Sequence, residues 1–571
     1  MTEDTTKTAV TDTIMDDETS LDEVWVLPEK ANSFKVFGFN FLKVVAAGIF
    51  FQTIILALEG SMFGTVSATL HSLFAVLSLN DLPQIAMMIS GVLGPAVVKF
   101  AEVYGQFPLA VSGVFFAILT YSLFIVSGNP GHIMNGATET AVLTWHSYCF
   151  VAGQMTESVA RVFLSTLETI LITVYIPIRL RATFTAVVNL PNYLIRLVAP
   201  LLATSFYHEW RLIFVVTIPV VLLSFFVMYY PLVKIENQYR KKRQSTSFIQ
   251  ICKDLDLIGA LLLICGVCCT LAPPMINYSE SITHSKNLIP LVIGIICILL
   301  FVPYEYYLAP TPVFHRRLVT NITLVCCLIV NAIIYAASNM AFSNFSALFQ
   351  ITKGVSDDTA AMLQYGYGAG YGAGALICGL LIQYTRKLKI WIWSGYLVYL
   401  LGFCLFLNTR GAVTSIAEVV IVQIVAGIGC GISLPAIYIC VQAAVEKRDV
   451  PMAATLVTFT TYVFGPFCGL FASSIWNRYL PDIIAAKPGG NTLDMFGIVD
   501  TILSNWKSDS YNEVQKNIII ESYLETQRLT TFIAIGMLVV GLVPIYFIRV
   551  NDLPEEENTK EKKENQVETV A

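Results

Sequence analysis

Apolar runs of roughly 20 residues recur along this chain from Phe41 to Val550, separated by short polar stretches. They fall near 42-66, 83-104, 107-127, 143-175, 182-205, 209-232, 255-276, 287-307, 320-345, 360-385, 389-408, 415-445, 452-475 and 529-549. Runs of this length satisfy their backbone groups inside lipid as helices, and the period-two alternation of a membrane barrel is missing. The pattern predicts an all-α polytopic membrane protein that crosses a bilayer fourteen times. The spans group as six, two and six, with the basic stretch Arg240-Lys241-Lys242-Arg243 after the first six.

Polar positions fill in the outline. Residues 1-40 predict a disordered cytoplasmic tail, 41-232 an N-terminal six-helix bundle and 233-254 a basic cytoplasmic loop. Two additional central helices follow over 255-317. A C-terminal six-helix bundle covers 318-550, with an outer loop at 477-527, and 551-571 is a second cytoplasmic tail. Within that outer loop, Met495 to Leu503 has the pattern of a short amphipathic surface helix. One set of alternate short loops carries Lys99, Arg179, Arg181, the cluster from Lys234 to Lys253, Arg316, Arg317, Arg386, Lys387, Lys389, Lys447 and Arg448. The short loops of the other set hold Arg211, Lys286, Lys353 and Arg410. Positive charge stays on the cytoplasmic side, so both termini are expected there, which requires an even number of crossings. The first 40 residues lack the apolar core of a cleavable signal, leaving the first span as the insertion signal.

Composition agrees: 56% of residues are hydrophobic and 13% charged, against about 25% charged in soluble domains. The net charge of -5 comes largely from acidic ends and says little about partners. Most cysteines, including Cys265, Cys268, Cys269, Cys326 and Cys327, sit in apolar runs and are expected as small buried hydrophobes. No metal site or cofactor is expected. Nucleotide-binding and hydrolase motifs are missing, so the chain is expected to be no enzyme and no ATP-driven pump. An ion gradient, exchange or the substrate's own gradient would then supply the energy.

Ionisable groups inside spans commonly cost about 2.5–3.5 kcal/mol at the helix centre, so each asks for a reason. Glu59 stands in Leu-Ala-Leu-Glu59-Gly-Ser with no basic neighbour in sequence. It is a candidate for taking up a proton, for meeting a cationic substrate, or for accepting a hydrogen bond from another helix. Glu157, Arg161 and Glu168 are four and eleven residues apart, which places them on one helical face. With Arg196 in the fifth span they make a candidate polar centre for proton coupling and anionic-substrate contact, the alternative being an ion pair that fixes helix packing. Two glycine-rich runs, Tyr365-Gly-Tyr367-Gly-Ala-Gly-Tyr371-Gly-Ala-Gly374 and Gly427-Ile-Gly429-Cys-Gly431, predict close helix approach and candidate moving gates. The rings of Tyr365, Tyr367 and Tyr371 are candidates for stacking on a flat ligand or for anchoring helices.

The string Leu93-Gly-Pro-Ala-Val-Val-Lys99-Phe-Ala-Glu102-Val-Tyr-Gly105-Gln106 resembles the loop signature G-x-x-x-D-R-x-G-R of the major facilitator superfamily. Glu102 stands for its acid, Gly105 for its glycine, and Gln106 where a basic residue is usual. A finer resemblance, covering almost the whole chain beyond residue 40, is to fungal siderophore-iron transporters. It is carried by Glu59 and by Asp256-Leu-Ile-Gly-Ala-Leu-Leu-Leu. Phe301-Val-Pro-Tyr-Glu305-Tyr-Tyr-Leu-Ala-Pro-Thr-Pro312, Gln423 to Gly431, Val441-Gln-Ala-Ala-Val445, Trp476-Asn-Arg-Tyr-Leu-Pro481 and Tyr523-Leu-Glu-Thr-Gln-Arg528 continue it in order.

The resemblance implies a major facilitator fold: two six-helix bundles plus two extra helices. It implies a proton-coupled secondary transporter importing siderophore-iron chelates or a similar organic solute, in which Lys99, Glu102 and Gly105 form a gate. Glutathione/proton exchangers, haem importers and drug/proton antiporters share the architecture, as do non-transporting receptors. The expected partners are a small-molecule substrate, protons and the bilayer, with no nucleic acid. The expected state is a monomer in the plasma membrane, or in a vacuolar or endosomal one.

Overall fold

Each of the fourteen predicted spans falls on a helix. The computed structural model describes residues 35–36, 39–73, 82–127, 139–205, 210–239, 256–271, 273, 284–309, 316–409, 415–487, 502, 506, 511–550 and 552–553. The first six helices are α1 (Phe41–Leu73), α2 (Leu82–Tyr104), α3 (Gln106–Val126), α4 (Glu139–Tyr175), α5 (Ile178–Ser205) and α6 (Arg211–Tyr239). The central pair is α7 (Leu257–Leu271) and α8 (Ser285–Pro303), and α8 runs into a π-helical turn at Tyr304–Leu308. The short helices α9 (Arg316–Thr320), α11 (Phe345–Lys353) and α12 (Asp357–Gln364) flank α10 (Ile322–Phe342). After them come α13 (Gly366–Thr385), α14 (Lys389–Thr409), α15 (Ile416–Ala443), α16 (Val450–Ala486) and α17 (Glu513–Phe547).

Eleven helical stretches among the described residues are long and apolar enough to cross a bilayer, and two shorter apolar ones, Arg211–Val227 and Leu257–Leu271, lie in α6 and α7. Length and composition thus establish a multi-pass protein without fixing fourteen crossings. Large apolar side chains remain exposed along the outward faces, as at Leu299, Val302, Val540 and Val543. Contiguous apolar surface of this kind suits lipid and not water.

The packing has an internal symmetry. Counting α1–α6 as one half and α10, α13, α14, α15, α16 and α17 as the other, the first helix of each half packs on the fifth and sixth. The third packs on the fourth and sixth, and the second on the fourth, in both halves alike. Between halves, the second helix of each packs on the fifth of the other: α2 on α16, and α13 on α5. The same five internal pairings twice over, joined by two equivalent crossings, describe two six-helix bundles related by a pseudo-two-fold axis.

Small residues allow the closest approaches. A Cβ at Gly427 or Gly431 of α15 would run into the Tyr367 or Tyr371 carbonyl of α13, and one at Gly429 into Tyr399 of α14. Three helices of the second half are therefore in backbone contact through these glycines. The added pair packs on itself and on α2. Leu263 and Val267 of α7 and Phe301 of α8 join Met88 and Val92 of α2 and Val463 and Leu470 of α16 in one apolar cluster. The pair therefore rides the α2–α16 crossing between the halves.

Two expectations change. The tail predicted over 1-40 carries at its end a two-residue antiparallel hairpin, Lys35 opposite Asn40 and Val36 opposite Phe39; its other residues lie outside the described ones. The outer loop predicted over 477-527 is shorter than expected, because α16 continues to Ala486 and α17 begins at Glu513. With 37 residues, α16 is about 55 Å long, well beyond the roughly 30 Å of hydrocarbon. Trp476, Leu480 and Ile484 join Ile518, Ile519 and Tyr523 in the apolar core of the second half, with the Trp476 and Tyr523 ring centroids 5.2 Å apart, so polar faces at these helix ends hide a continuation of that core. Of the surface helix predicted over Met495 to Leu503, all but Ile502 lies outside the described residues.

Candidate transport site

The ion pair at the centre of the first half is built on one turn of α4. Arg161 donates from Nε (2.8 Å) and Nη2 (2.5 Å) to Oε1 of Glu157, four residues before it. Arg161 reaches across to α1, where Gly60 leaves room for its guanidinium: a Cβ there would lie 2.8 Å from Arg161 Nη2. Glu59, the preceding residue, is 2% exposed and lies within electrostatic range of both Glu157 and Arg161. Its Oε1 is buried and has no hydrogen-bond partner among the described residues. Two carboxylates thus share one guanidinium, one bonded to it and one facing it.

A cavity of ≈ 230 Å³ opens beside this group. Its wall takes Gln52, Thr53 and Ser61 from α1, Arg161, Ser165 and Glu168 from α4, and Asn189, Asn192 and Arg196 from α5. Tyr462 of α16 faces them from the second half. Arg161 keeps 48% of its side-chain surface open, so its charge is presented to the cavity as well as to Glu157. Arg196 donates to the neutral Oδ1 of Asn192 (3.2 Å). Among the described residues Glu168 has no hydrogen-bond or ion-pair partner. The site therefore offers two guanidinium groups, one carboxylate and several neutral hydrogen-bonding groups around a small polar space. It suits a polar solute carrying negative charge.

The predicted polar residues come together in this one place: Arg161, Glu168 and Arg196 on the wall, with Glu59 and Glu157 directly behind. Sequence reasoning missed Asn189, Asn192 and Tyr462. Asn189, Asn192 and Arg196 are spaced three and seven residues apart and so share a face of α5, a visible signal. Tyr462 is one of many tyrosines, and nothing local distinguishes it.

The tyrosines of the first glycine run sit apart from the wall. Tyr367 lies among Ser338 (3.3 Å to its hydroxyl), Phe342 and Tyr399 inside the second half. Tyr371 meets Tyr193 of α5 with ring centroids 5.2 Å apart, a contact between halves. Tyr365 is the break between α12 and α13. Gly427, Gly429 and Gly431 are the close-contact residues of α15 described above.

The two halves are bonded to each other at the end that carries the α2–α3 loop. Arg179 Nε donates to the Gln383 carbonyl (2.9 Å), and Arg181 Nη1 to Gln442 Oε1 (2.8 Å), each bond joining the two halves. Arg181 also bonds the carbonyls of Thr173 and Ile176 at the end of α4, which fixes the α4–α5 turn. On the other crossing, Gly105 takes φ 105°, and its amide donates to the Ala101 carbonyl (2.8 Å), allowing the sharp passage from α2 to α3. Lys99 is 3% exposed near the end of α2. Glu102 lies within electrostatic range of Lys99, Arg448 and Asp449. Arg317 joins the same end, 2.7 Å from Glu446 and 3.5 Å from Asp449. Among the described residues no cluster of His, Cys, Asp and Glu is arranged to hold a metal.

A profile described as Major Facilitator Superfamily matches residues 41–467. A siderophore iron transporter of Schizosaccharomyces pombe is 22% identical over 88% of this chain and 81% of its own length. A siderophore iron transporter of Emericella nidulans is 23% identical over 96% of this chain and 92% of its own length. An efflux pump of Gibberella fujikuroi is 24% identical over 82% of this chain and 83% of its own length. Among solved structures, a proton:xylose symporter aligns with TM-score 0.52 at 12% identity, covering 90% of this chain and 96% of that one. The human organic anion transporter MFSD10 aligns with TM-score 0.57 at 10% identity, covering 89% and 99%. These last two show likeness of fold alone.

Proposed function

This chain belongs to the major facilitator superfamily, and from that premise we propose that it imports siderophore-iron chelates, or a similar anionic organic solute, by proton-coupled alternating access. Family and relatives together support secondary transport; the substrate and the coupling ion are the proposal. The observation that carries it is the pairing of a two-arginine cavity with a buried carboxylate directly behind one of those arginines. The breadth of the match to siderophore iron transporters supports the choice of solute.

In this reading both termini are cytoplasmic, and the structure is the state closed toward the cytoplasm. Substrate enters from the opposite side and its negative groups meet Arg161 and Arg196. Glu59 takes up a proton, which removes the negative charge facing Arg161 on the α1 side. Arg161 is then held by Glu157 and the substrate, and the halves rock about the α2–α16 and α5–α13 crossings. A cavity of ≈ 230 Å³ is smaller than the roughly 300–1,000 Å³ of drug-sized ligand sites. The halves must therefore part further to admit an intact chelate. Iron travels as cargo inside its chelator.

Uptake of radiolabelled ferric hydroxamate chelates into cells lacking other carriers tests the proposal. Expression of this chain should raise uptake, and collapse of the proton gradient should abolish the increase. Unchanged uptake for hydroxamate chelates and haem alike would sink the import reading. The similarity to an efflux pump favours export as the second reading. In that case preloaded cells lose label faster when the chain is expressed.

A further inference from the structure

The added helical pair is tied to the gate by charge as well as by apolar packing. Asp256, immediately before α7, is 1% exposed and takes φ 46°, turning its carboxylate back over the helix start. Oδ1 accepts the Gly259 amide (3.2 Å) and the Tyr304 hydroxyl (2.8 Å). A Cβ at Gly259 would overlap that carboxylate, so glycine is what lets it fold in. Tyr304 and Glu305 open the π-helical turn at the end of α8, closed by a bond from the Ala309 amide to the Tyr304 carbonyl (2.9 Å). Such turns occur often at functional positions.

These groups converge on Lys99. Its buried ammonium lies within electrostatic range of Asp256 and Glu305 from the pair and of Glu102 from its own helix, the helix that α7 packs against. Glu102 in turn faces Arg448 and Asp449, and Asp449 is 3.5 Å from Arg317. Charges of alternating sign thus run from the pair, through the α2–α3 loop, to the α15–α16 loop. Asp256 Oδ2 is buried and has no hydrogen-bond partner among the described residues. A buried carboxylate oxygen with no hydrogen bond is costly unless positive charge nearby offsets it.

We propose that the added helices are a working arm of this gate, in which Asp256 and Tyr304 latch Lys99 and hold the α2–α3 and α15–α16 loops together in the closed state. Asp256 and Tyr304 are positioning residues: they act through Lys99 and touch no solute. Opening the closed end then requires the pair to release Lys99. The added helices thereby set the balance between the two states of the transporter. The latch rests on the alternating-access reading but not on any substrate.

Hydrogen–deuterium exchange on the purified full chain in lipid nanodiscs tests it with no solute present, so a wrong substrate assignment leaves the result intact. In Asp256→Asn, amides of 99–106 and 444–450 should exchange roughly tenfold faster or more, the scale set by hydrogen bonds to charged groups. Tyr304→Phe keeps the charge and should raise exchange in the same segments by less. Faster exchange confined to α7 and the π-helical turn, or no change in either variant, overturns the latch. If Asp256→Asn fails to yield a monodisperse protein, Tyr304→Phe decides alone: faster exchange at 444–450 supports the latch, and wild-type exchange there overturns it.

Discussion

At the scale of single residues, the pairing of Glu59 and Glu157 around Arg161 makes a testable asymmetry. Glu157 is bonded to the guanidinium, whereas Glu59 Oε1 has no hydrogen bond among the described residues. Glu59→Gln should therefore fix the site in its proton-loaded charge state. Uptake by the wild type is expected to fall as external pH rises, because fewer protons are offered. Uptake by the variant should be nearly flat with pH and at least tenfold slower under a gradient. Exchange of labelled for unlabelled solute should persist, since it needs no net proton movement. A variant with wild-type pH dependence removes Glu59 from the coupling role. Among the described residues Arg196 is bonded only to a neutral amide, which makes it the freer of the two cations. Arg196→Ala should weaken solute binding about tenfold or more, read by titration, while leaving thermal stability unchanged. The charges of this site were legible because ionisable residues are conspicuous in apolar runs. Asn189, Asn192 and Tyr462 were not, because neutral polar residues occur in membrane helices for many packing reasons.

Among elements, the glycine-rich runs separate positions that look alike in sequence. Gly368 stands in the same run as Gly370 and Gly374, yet a Cβ at Gly368 meets nothing within 4 Å. A Cβ at Gly370 or Gly374 would strike the backbone of α15, and one at Gly427 or Gly431 the backbone of α13. Gly368→Ala should therefore raise stability by about 0.5–1 kcal/mol, the usual helix preference of alanine over glycine. Gly427→Ala should lower it by about 1–3 kcal/mol through overpacking. Thermal unfolding of the two variants side by side gives opposite signs if the contact assignment is right. Hydropathy located the long helices but could not grade the glycines, since composition says that helices approach without saying on which face. The same limit explains the outer ends of α16 and α17. Lys487, Glu521 and Glu525 make that stretch polar on average, while Trp476, Leu480, Ile518 and Ile519 supply a one-sided apolar stripe that average hydropathy dilutes.

For the whole molecule, the repeated packing pattern implies motion about two equivalent crossings, and the interhalf bonds tell which end is shut. Arg179 on Gln383 and Arg181 on Gln442 join α5 and the α4–α5 turn to α13 and α15 at the end carrying the α2–α3 loop. A rocking transporter must break both bonds once per cycle. Replacing Arg179 and Gln383 by a cysteine pair should allow an oxidant to trap the shut state. Transport should stop on oxidation and recover with a reductant, and each single cysteine variant should transport in either condition. The native cysteines do not spoil the comparison, because the single variants carry them all. Continued transport with a fully formed crosslink would mean that this end does not open, and alternating access about these crossings would fall with it. The direction of opening then follows from a membrane-impermeant thiol reagent. In the proposed orientation, with both termini cytoplasmic, the shut end faces the cytoplasm, and the reagent added outside should leave the reduced pair unmodified; modification from outside would reverse that orientation.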